Sequence, residues 1–164
     1  MQVLRAKYAG ACYGVQRALD MAHEVISSCG AVHTLGPLIH NPKVVADLEA
    51  RGARVASSPE EINSGTVVIR SHGVTPQVRA NLINRGLDVV DATCPHVARA
   101  QKAAADLAKD GCRVVVLGEA DHPEVEGLRA CAEDAGGKVD VVGSPADIPD
   151  GLYAPLALSR KPRR

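Results

Sequence analysis

The sequence contains no phenylalanine and no tryptophan, and three tyrosines are all that make up its 2% of aromatic residues. Apolar residues still account for 46% of the 164 positions, enough for one ordinary domain or two small ones. The hydrophobic core is therefore expected to consist of valine, leucine, isoleucine and alanine.

Net charge is absent as well, because 19 lysines and arginines balance 19 aspartates and glutamates. Broad binding of nucleic acid or of anionic membranes needs a basic field, so neither partner is expected. The chain has no apolar run long enough to predict a membrane span. Its first residues also lack the apolar stretch of a signal peptide, which favours a cytoplasmic location.

Cysteine is present in an odd number, five, with scattered spacing. A secreted disulfide scaffold would be shorter and richer in cysteine, so we expect reduced thiols, some of them ligands. Cys29 lies on the apolar stripe of a predicted helix, Cys112 at the start of a strand, and Cys131 within a helix. For these three positions packing is the favoured role.

Strand-like and helical segments alternate along the chain. The pattern predicts strands over residues 2–6, 32–36, 66–70, 87–92, 113–118 and 138–143. It predicts helices over residues 14–29, 42–51, 75–85, 96–109 and 123–135. Ser58-Pro59-Glu60-Glu61 has the form of a capping box, and Ser144-Pro145 starts a short helical turn. The alternation predicts an α/β fold of mainly parallel sheets with helical crossovers, divided near Cys94-Pro95.

Five chemically capable residues share one kind of position, the junction where a strand-like stretch gives way to a helix. They are Cys12, His40, His72, Cys94 and His122. In a parallel sheet these junctions lie on one edge, where such folds bind ligands. We therefore expect these side chains to gather at one pole of the molecule.

The two cysteines of this set precede helix starts, where the helix dipole favours a thiolate, and they suit an iron–sulfur or zinc site. The three histidines stand beside helix N-termini, which attract anions such as phosphate. Glu124, two residues after His122, could donate or relay a proton. Each of these residues also has a plainer alternative role. The cysteines could simply pack in the core, the histidines could make ordinary loop contacts, and Glu124 could favour the helix dipole.

Five motifs together carry a family resemblance: the Cys12-Tyr13-Gly14-Val15 start with Arg17-Ala18, then IHNPKVV with a following leucine, SHGV, DATCP and HPEVEG. In this order and spacing, from Met1 to about residue 150, the chain resembles the 4-hydroxy-3-methylbut-2-enyl diphosphate reductases of the non-mevalonate isoprenoid pathway. No single motif would be specific enough.

The resemblance implies three similar α/β lobes around a [4Fe-4S] cluster held by three cysteines, of which Cys12 and Cys94 match the first two. It implies that His40, His72 and His122 bind or adjoin the diphosphate substrate and that Glu124 delivers protons. Ferredoxin or flavodoxin would supply two electrons, one at a time. The products would be isopentenyl and dimethylallyl diphosphate, and the hydroxyl would leave as water.

The chain also departs from the family. The third cluster cysteine and the later serine and threonine motifs for diphosphate are missing, and LYAPLALSRKPRR ends the sequence. We expect a first lobe at 1–94, an incomplete second lobe at 95–151 and a divergent basic tail at 152–164 that forms no strand. A truncated reductase, inactive alone, is the favoured interpretation.

Two other classes of function stay open on the sequence. One is a zinc-dependent hydrolase that uses Cys12, Cys94 and a histidine as ligands and Glu124 as base. The other is a non-catalytic remnant that binds diphosphates. Metal analysis separates the first from the reductase, since iron with sulfide and zinc alone are distinct results.

Overall fold

A computed structural model describes residues 3–4, 7 and 10–148, and the backbone of 156–160. The strands are β1 (Val32–Leu35), β2 (Ala53–Ala56), β3 (Thr66–Ile69), β4 (Asp88–Asp91), β5 (Arg113–Leu117), β6 (Val139–Val142) and β7 (Leu156–Arg160). The helices are α1 (Tyr13–Ser28), α2 (Pro42–Ala50), α3 (Pro76–Asn84), α4 (Pro95–Lys109) and α5 (Pro123–Asp134). Short 3₁₀ turns cover Pro59–Glu61 and Pro145–Asp147. The strand expected over 2–6 falls largely outside the described residues.

The strands form two parallel sheets, ordered β2-β1-β3-β4 and β6-β5-β7. In the first sheet Val32 of β1 stands opposite Ala53 on one side and Thr66 on the other. In the second sheet β5 pairs in parallel with both β6 and β7. The predicted α/β class with helical crossovers is confirmed, and all strands of each sheet end at the same edge.

The first sheet is covered on both faces, as a central parallel sheet requires. Val68 belongs to the core that α1 and α2 cover, and neighbouring Val67 belongs to the core on the other face, with Leu82 of α3. A third core joins the second sheet to α4 and α5 around Val114 and Val116. Apart from Pro59, the buried apolar side chains described are alanine, valine, leucine or isoleucine, as the missing aromatics predicted.

One strand was not predicted, and two local expectations are wrong. Strand β2 was not predicted, because it is a four-residue edge strand with Arg54 and Val55 exposed in its middle. The tail does form a strand: residues 156–160 pair with β5, whose second edge they satisfy. Ser58 makes no capping bond, and Glu61 Oε2 instead accepts from the backbone N–H of Ser57 at 2.9 Å.

The second short turn follows its prediction. Asp147 Oδ2 accepts from the backbone N–H of Ser144 at 2.8 Å and from its hydroxyl at 2.9 Å. Among the residues described, no helix is both long and apolar enough to cross a bilayer.

Candidate functional site

Three histidine rings lie in a row at the carboxyl edge of the first sheet. The ring centroids of His40 and His72 are 4.8 Å apart, with the planes tilted by 46°. Those of His72 and His122 are 6.1 Å apart and nearly perpendicular, at 82°. His40 and His122 are 82 positions apart in the sequence. The structure brings both of them close to His72, whose ring lies between theirs.

Each histidine is held by a different element. His40 precedes α2, whose N-cap Asn41 accepts from the N–H of Lys43 at 3.1 Å, and it is exposed. His72 follows β3 and is 7% exposed. His122 is the N-cap of α5 and is half-buried. The row therefore begins at exposed His40 and passes through buried His72. It ends at His122, on the helix α5 that packs against the second sheet.

The tautomer of His122 follows from its capping bond. Its Nδ1 accepts from the backbone N–H of Glu124 at 3.2 Å, so in the neutral imidazole the proton is on Nε2. Nε2 is then a hydrogen-bond donor, as contact with an anion requires. Glu124 itself stands in the first turn of α5, half-buried, where its carboxylate also complements the helix dipole.

The two candidate metal-ligating cysteines occupy equivalent backbone positions. Cys12 is the N-cap of α1 and Cys94 is the N-cap of α4, and neither side chain makes a capping hydrogen bond. The N–H of Cys94 donates to the carbonyl of Ser71 at 2.9 Å, which fixes Cys94 beside His72. The loop that carries Cys94 therefore lies beside the loop that carries His72, the middle ring of the histidine row.

Helix α1 carries Cys12 towards Cys94. Gly14, in the first turn of α1, is buried against the Cys94 side chain: a methyl group at position 14 would overlap Sγ and lie 3.0 Å from Cβ. One turn further, Arg17 Nη1 donates to the carbonyl of Thr93 at 3.1 Å. These two contacts dock the start of α1 on the loop of Cys94, so Cys12 and Cys94 share one pole.

The loop of Cys94 is tied down on its other side by Asp91. Asp91 Oδ1 accepts from both the backbone N–H and the hydroxyl of Thr93, at 3.0 and 2.5 Å. Arg79 Nη2 lies 3.8 Å from Asp91 Oδ2. Neither Asp91 nor Gly14 was singled out as a site residue from sequence. The only available signal was that both belong to the motifs around the two cysteines.

All five cysteines are free thiols, and the other three do not join Cys12 and Cys94 as helix N-caps at this pole, although Cys131 lines a cavity with Asp91 and Thr93. Cys29 caps the far end of α1 and packs against the first core. Cys112 precedes β5, at the opposite edge of the second sheet. Burial, and to a lesser extent Asp134, raise the pKa of the Cys131 thiol, which disfavours the thiolate that a metal needs.

The described residues include no group of three or more histidine, cysteine, aspartate or glutamate side chains arranged to hold a metal ion. The zinc site that the sequence allowed, built from Cys12, Cys94 and a histidine, is therefore not formed among them. Cys12 and Cys94 fit two positions of a thiolate-ligated cluster by their chemistry and shared pole. The chain's remaining cysteines do not provide a third.

Comparison with known proteins matches residues 3–152 to the LytB protein family. The 4-hydroxy-3-methylbut-2-enyl diphosphate reductase of Geobacter sulfurreducens is 51% identical over 144 residues, which cover 88% of this chain and 50% of that protein. The corresponding reductase of Geobacter metallireducens is 47% identical over the same shares. The chain thus spans about half the length of the curated relatives it matches.

Solved structures give the same result. A structure of (E)-4-hydroxy-3-methyl-but-2-enyl diphosphate reductase, the terminal enzyme of the non-mevalonate pathway, superposes with a TM-score of 0.85 at 39% identity. The superposed region covers 95% of this chain and 56% of the reductase chain. A Plasmodium falciparum reductase of 24% identity shares the fold, also with a TM-score of 0.85. The chain belongs to the LytB protein family.

Proposed function

We propose that this chain supplies part of the active site of a reductase that converts 4-hydroxy-3-methylbut-2-enyl diphosphate to isopentenyl and dimethylallyl diphosphate. The observation that carries the proposal is the row of His40, His72 and His122 beside Cys94. Relatives that align with 88% of the chain and bear this activity in their names support it.

In this proposal the three histidines bind the diphosphate. Imidazole N–H groups donate charge-assisted hydrogen bonds to phosphate oxygens, and such bonds are stronger than neutral ones. The N-termini of α2 and α5, next to His40 and His122, add the positive ends of two helix dipoles. A diphosphate therefore meets donors from three elements at once, which fixes its orientation.

Cys12 and Cys94 would hold two iron atoms of the [4Fe-4S] cluster. When bound, the cluster supplies the electrons, and ferredoxin or flavodoxin would deliver them. The contacts of Gly14 and Arg17 with residues 93–94 keep the two thiols at one pole. The burial of His72 and the apolar cores beneath the loops exclude water from the inner side of the site.

The reaction breaks one carbon–oxygen bond, forms one carbon–hydrogen bond and consumes two electrons and two protons. One proton leaves with the hydroxyl as water, and the other is added to the allylic carbon skeleton. Glu124 is the proposed proton source, because it is a carboxyl group in the first turn of the helix that His122 caps. We place the activity in the cytoplasm. Residues 1–94 and 95–151 would form the first two lobes of the reductase fold, and 152–164 would include the last strand of the second sheet.

The anion site is tested by titrating the chain with inorganic diphosphate and measuring affinity by calorimetry. His40→Gln, His72→Gln and His122→Asn each remove an imidazole, and asparagine keeps an N-cap acceptor at position 122. We expect each variant to weaken binding by about tenfold, the equivalent of one charge-assisted hydrogen bond. His23→Gln, in the middle of α1, is the matched control and is expected to bind like the unmodified chain. Unchanged affinity in all three site variants would overturn the proposal.

A further inference from the structure

A glutamine of α4 lies between the backbones that carry two of the three histidines. Gln101 Nε2 would be 3.0 Å from a methyl group placed on Gly73 and 2.5 Å from one placed on Gly127. The absence of a side chain at both positions lets the carboxamide fit between the loop of the first sheet and helix α5 of the second.

Both glycines are close in sequence to the histidine row. Gly73 follows His72 directly, adopts a φ of +74°, and also faces the side chain of Thr93. Gly127 lies on α5, five positions after its N-cap His122. Gln101 therefore lies against the residue that follows His72 and against the helix that His122 caps, and the two rings are 6.1 Å apart between centroids.

The surroundings of Gln101 do not account for an amide at this position. Nε2 is buried and makes no hydrogen bond with the described residues, which costs folding free energy. On one side Gln101 lines a cavity of about 380 Å³ shared with Arg79 and Cys131. The carboxamide thus lies between the two glycine backbones. On its cavity side there is room for it to be displaced.

We propose that Gln101 is a positioning residue that sets the separation of His72 and His122, and through it the grip of the site on a diphosphate. This inference rests on the proposed function for its ligand, but the ring separation can be measured without one. The flat carboxamide acts as a spacer. When it is removed or displaced, the loop of Gly73 and helix α5 change their separation.

Substitution of Gly127 tests whether Gln101 positions the histidines or only stabilises the fold. A methyl group there collides with the flexible end of Gln101, which the cavity can receive, and alanine is preferred to glycine within a helix. Gly127→Ala is therefore expected to leave the urea midpoint unchanged or higher while it displaces the spacer. Gln101→Ala removes the spacer outright, and Gln101→Met restores its length without the amide.

The experiment measures contacts between the ring protons of His72 and His122 by NMR, together with the affinity for inorganic diphosphate, in the 164-residue chain. We expect Gln101→Ala and Gly127→Ala to lose the ring contact and to bind diphosphate about tenfold more weakly. Gln101→Met should recover both, and the double variant should be no worse than either single one. Lys102→Ala, the exposed neighbour on α4, is the control.

A retained ring contact in both Gln101→Ala and Gly127→Ala would overturn the positioning role. If the unmodified chain fails to bind diphosphate, the proposed function is at fault, and the ring contacts still decide the role of Gln101. Restored affinity in Gln101→Met would show that the length of the side chain, and not its amide, does the positioning.

Discussion

Gly14 lies directly against the sulfur of Cys94, although 80 positions separate the two residues in the chain. No side chain larger than hydrogen fits at position 14 without displacing Sγ. The start of α1, with Cys12 at its N-cap, is therefore packed on the residue with which Cys12 is proposed to share a cluster.

Gly14→Ala tests this packing. We expect a loss of about 1–3 kcal/mol in the free energy of unfolding, as for overpacked core sites, together with lower iron retention after reconstitution. Gly30→Ala is the matched control, since nothing lies within 4 Å of the added methyl group and its φ is not positive. Equal iron retention in the two variants would contradict a close approach of α1 to Cys94.

Thr93→Val tests the hydrogen bonds that hold the loop of Cys94. The hydroxyl of Thr93 donates to Asp91 at 2.5 Å, and its loss should cost about 1 kcal/mol of stability and lower iron retention. Thr66→Val is the control, because its 3.4 Å bond to Asp88 lies at the opposite edge of the sheet. We expect that control to lose some stability on urea unfolding and to retain iron.

The ion pair of Asp140 with Arg113 in the second sheet is expected to make the free energy of unfolding fall in acid. Arg113 donates to it through Nε at 2.5 Å and Nη2 at 2.8 Å, and these hydrogen bonds lower the pKa of the Asp140 carboxyl. Because the folded pKa lies below the unfolded value, the pair stabilises the fold above the unfolded pKa. That contribution is lost as pH falls through the folded pKa.

The measurement is the urea midpoint of Asp140→Asn and of the unmodified chain at neutral and acidic pH. We expect the variant to unfold at lower urea at neutral pH and the two midpoints to converge in acid. Asp47→Asn removes an exposed pair between α2 and its C-cap residue Arg51 and is expected to have a smaller effect at neutral pH. A gap between the midpoints that is independent of pH would rule out the carboxylate as the source of the stabilisation.

The 164-residue chain alone should show little or no reductase turnover. Only two of its five thiols lie at the candidate site, so a cluster held there lacks a third thiolate and is exposed to solvent, and ligation and exposure set the reduction potential of such a cluster. The assay is substrate turnover with a reduced donor after anaerobic reconstitution. Rates comparable to those of the Geobacter sulfurreducens reductase would show that another thiol, or a second chain, supplies the third ligand.

The sequence predicted the alternation of strands and helices and the gathering of side chains at one edge, because hydrophobic periodicity and junction position are local features. It missed β2, whose exposed middle residues break the apolar pattern, and β7, which lies between prolines and next to basic residues. The overlap of Gly14 with Cys94 and the contacts of Gln101 with two glycines are long-range packing relationships. No periodicity or motif in one sequence encodes such relationships.

The central claim is that Cys12 and Cys94 hold an iron–sulfur cluster beside the histidine row. It is tested by reconstituting the chain anaerobically with iron and sulfide and counting both per chain after gel filtration. Cys12→Ser and Cys94→Ser are compared with Cys29→Ser, Cys112→Ser and Cys131→Ser. The account predicts bound iron with sulfide in the unmodified chain, its loss in the first two variants and its retention in the other three. Iron without sulfide, zinc alone, or content that does not respond to Cys12→Ser and Cys94→Ser would contradict it.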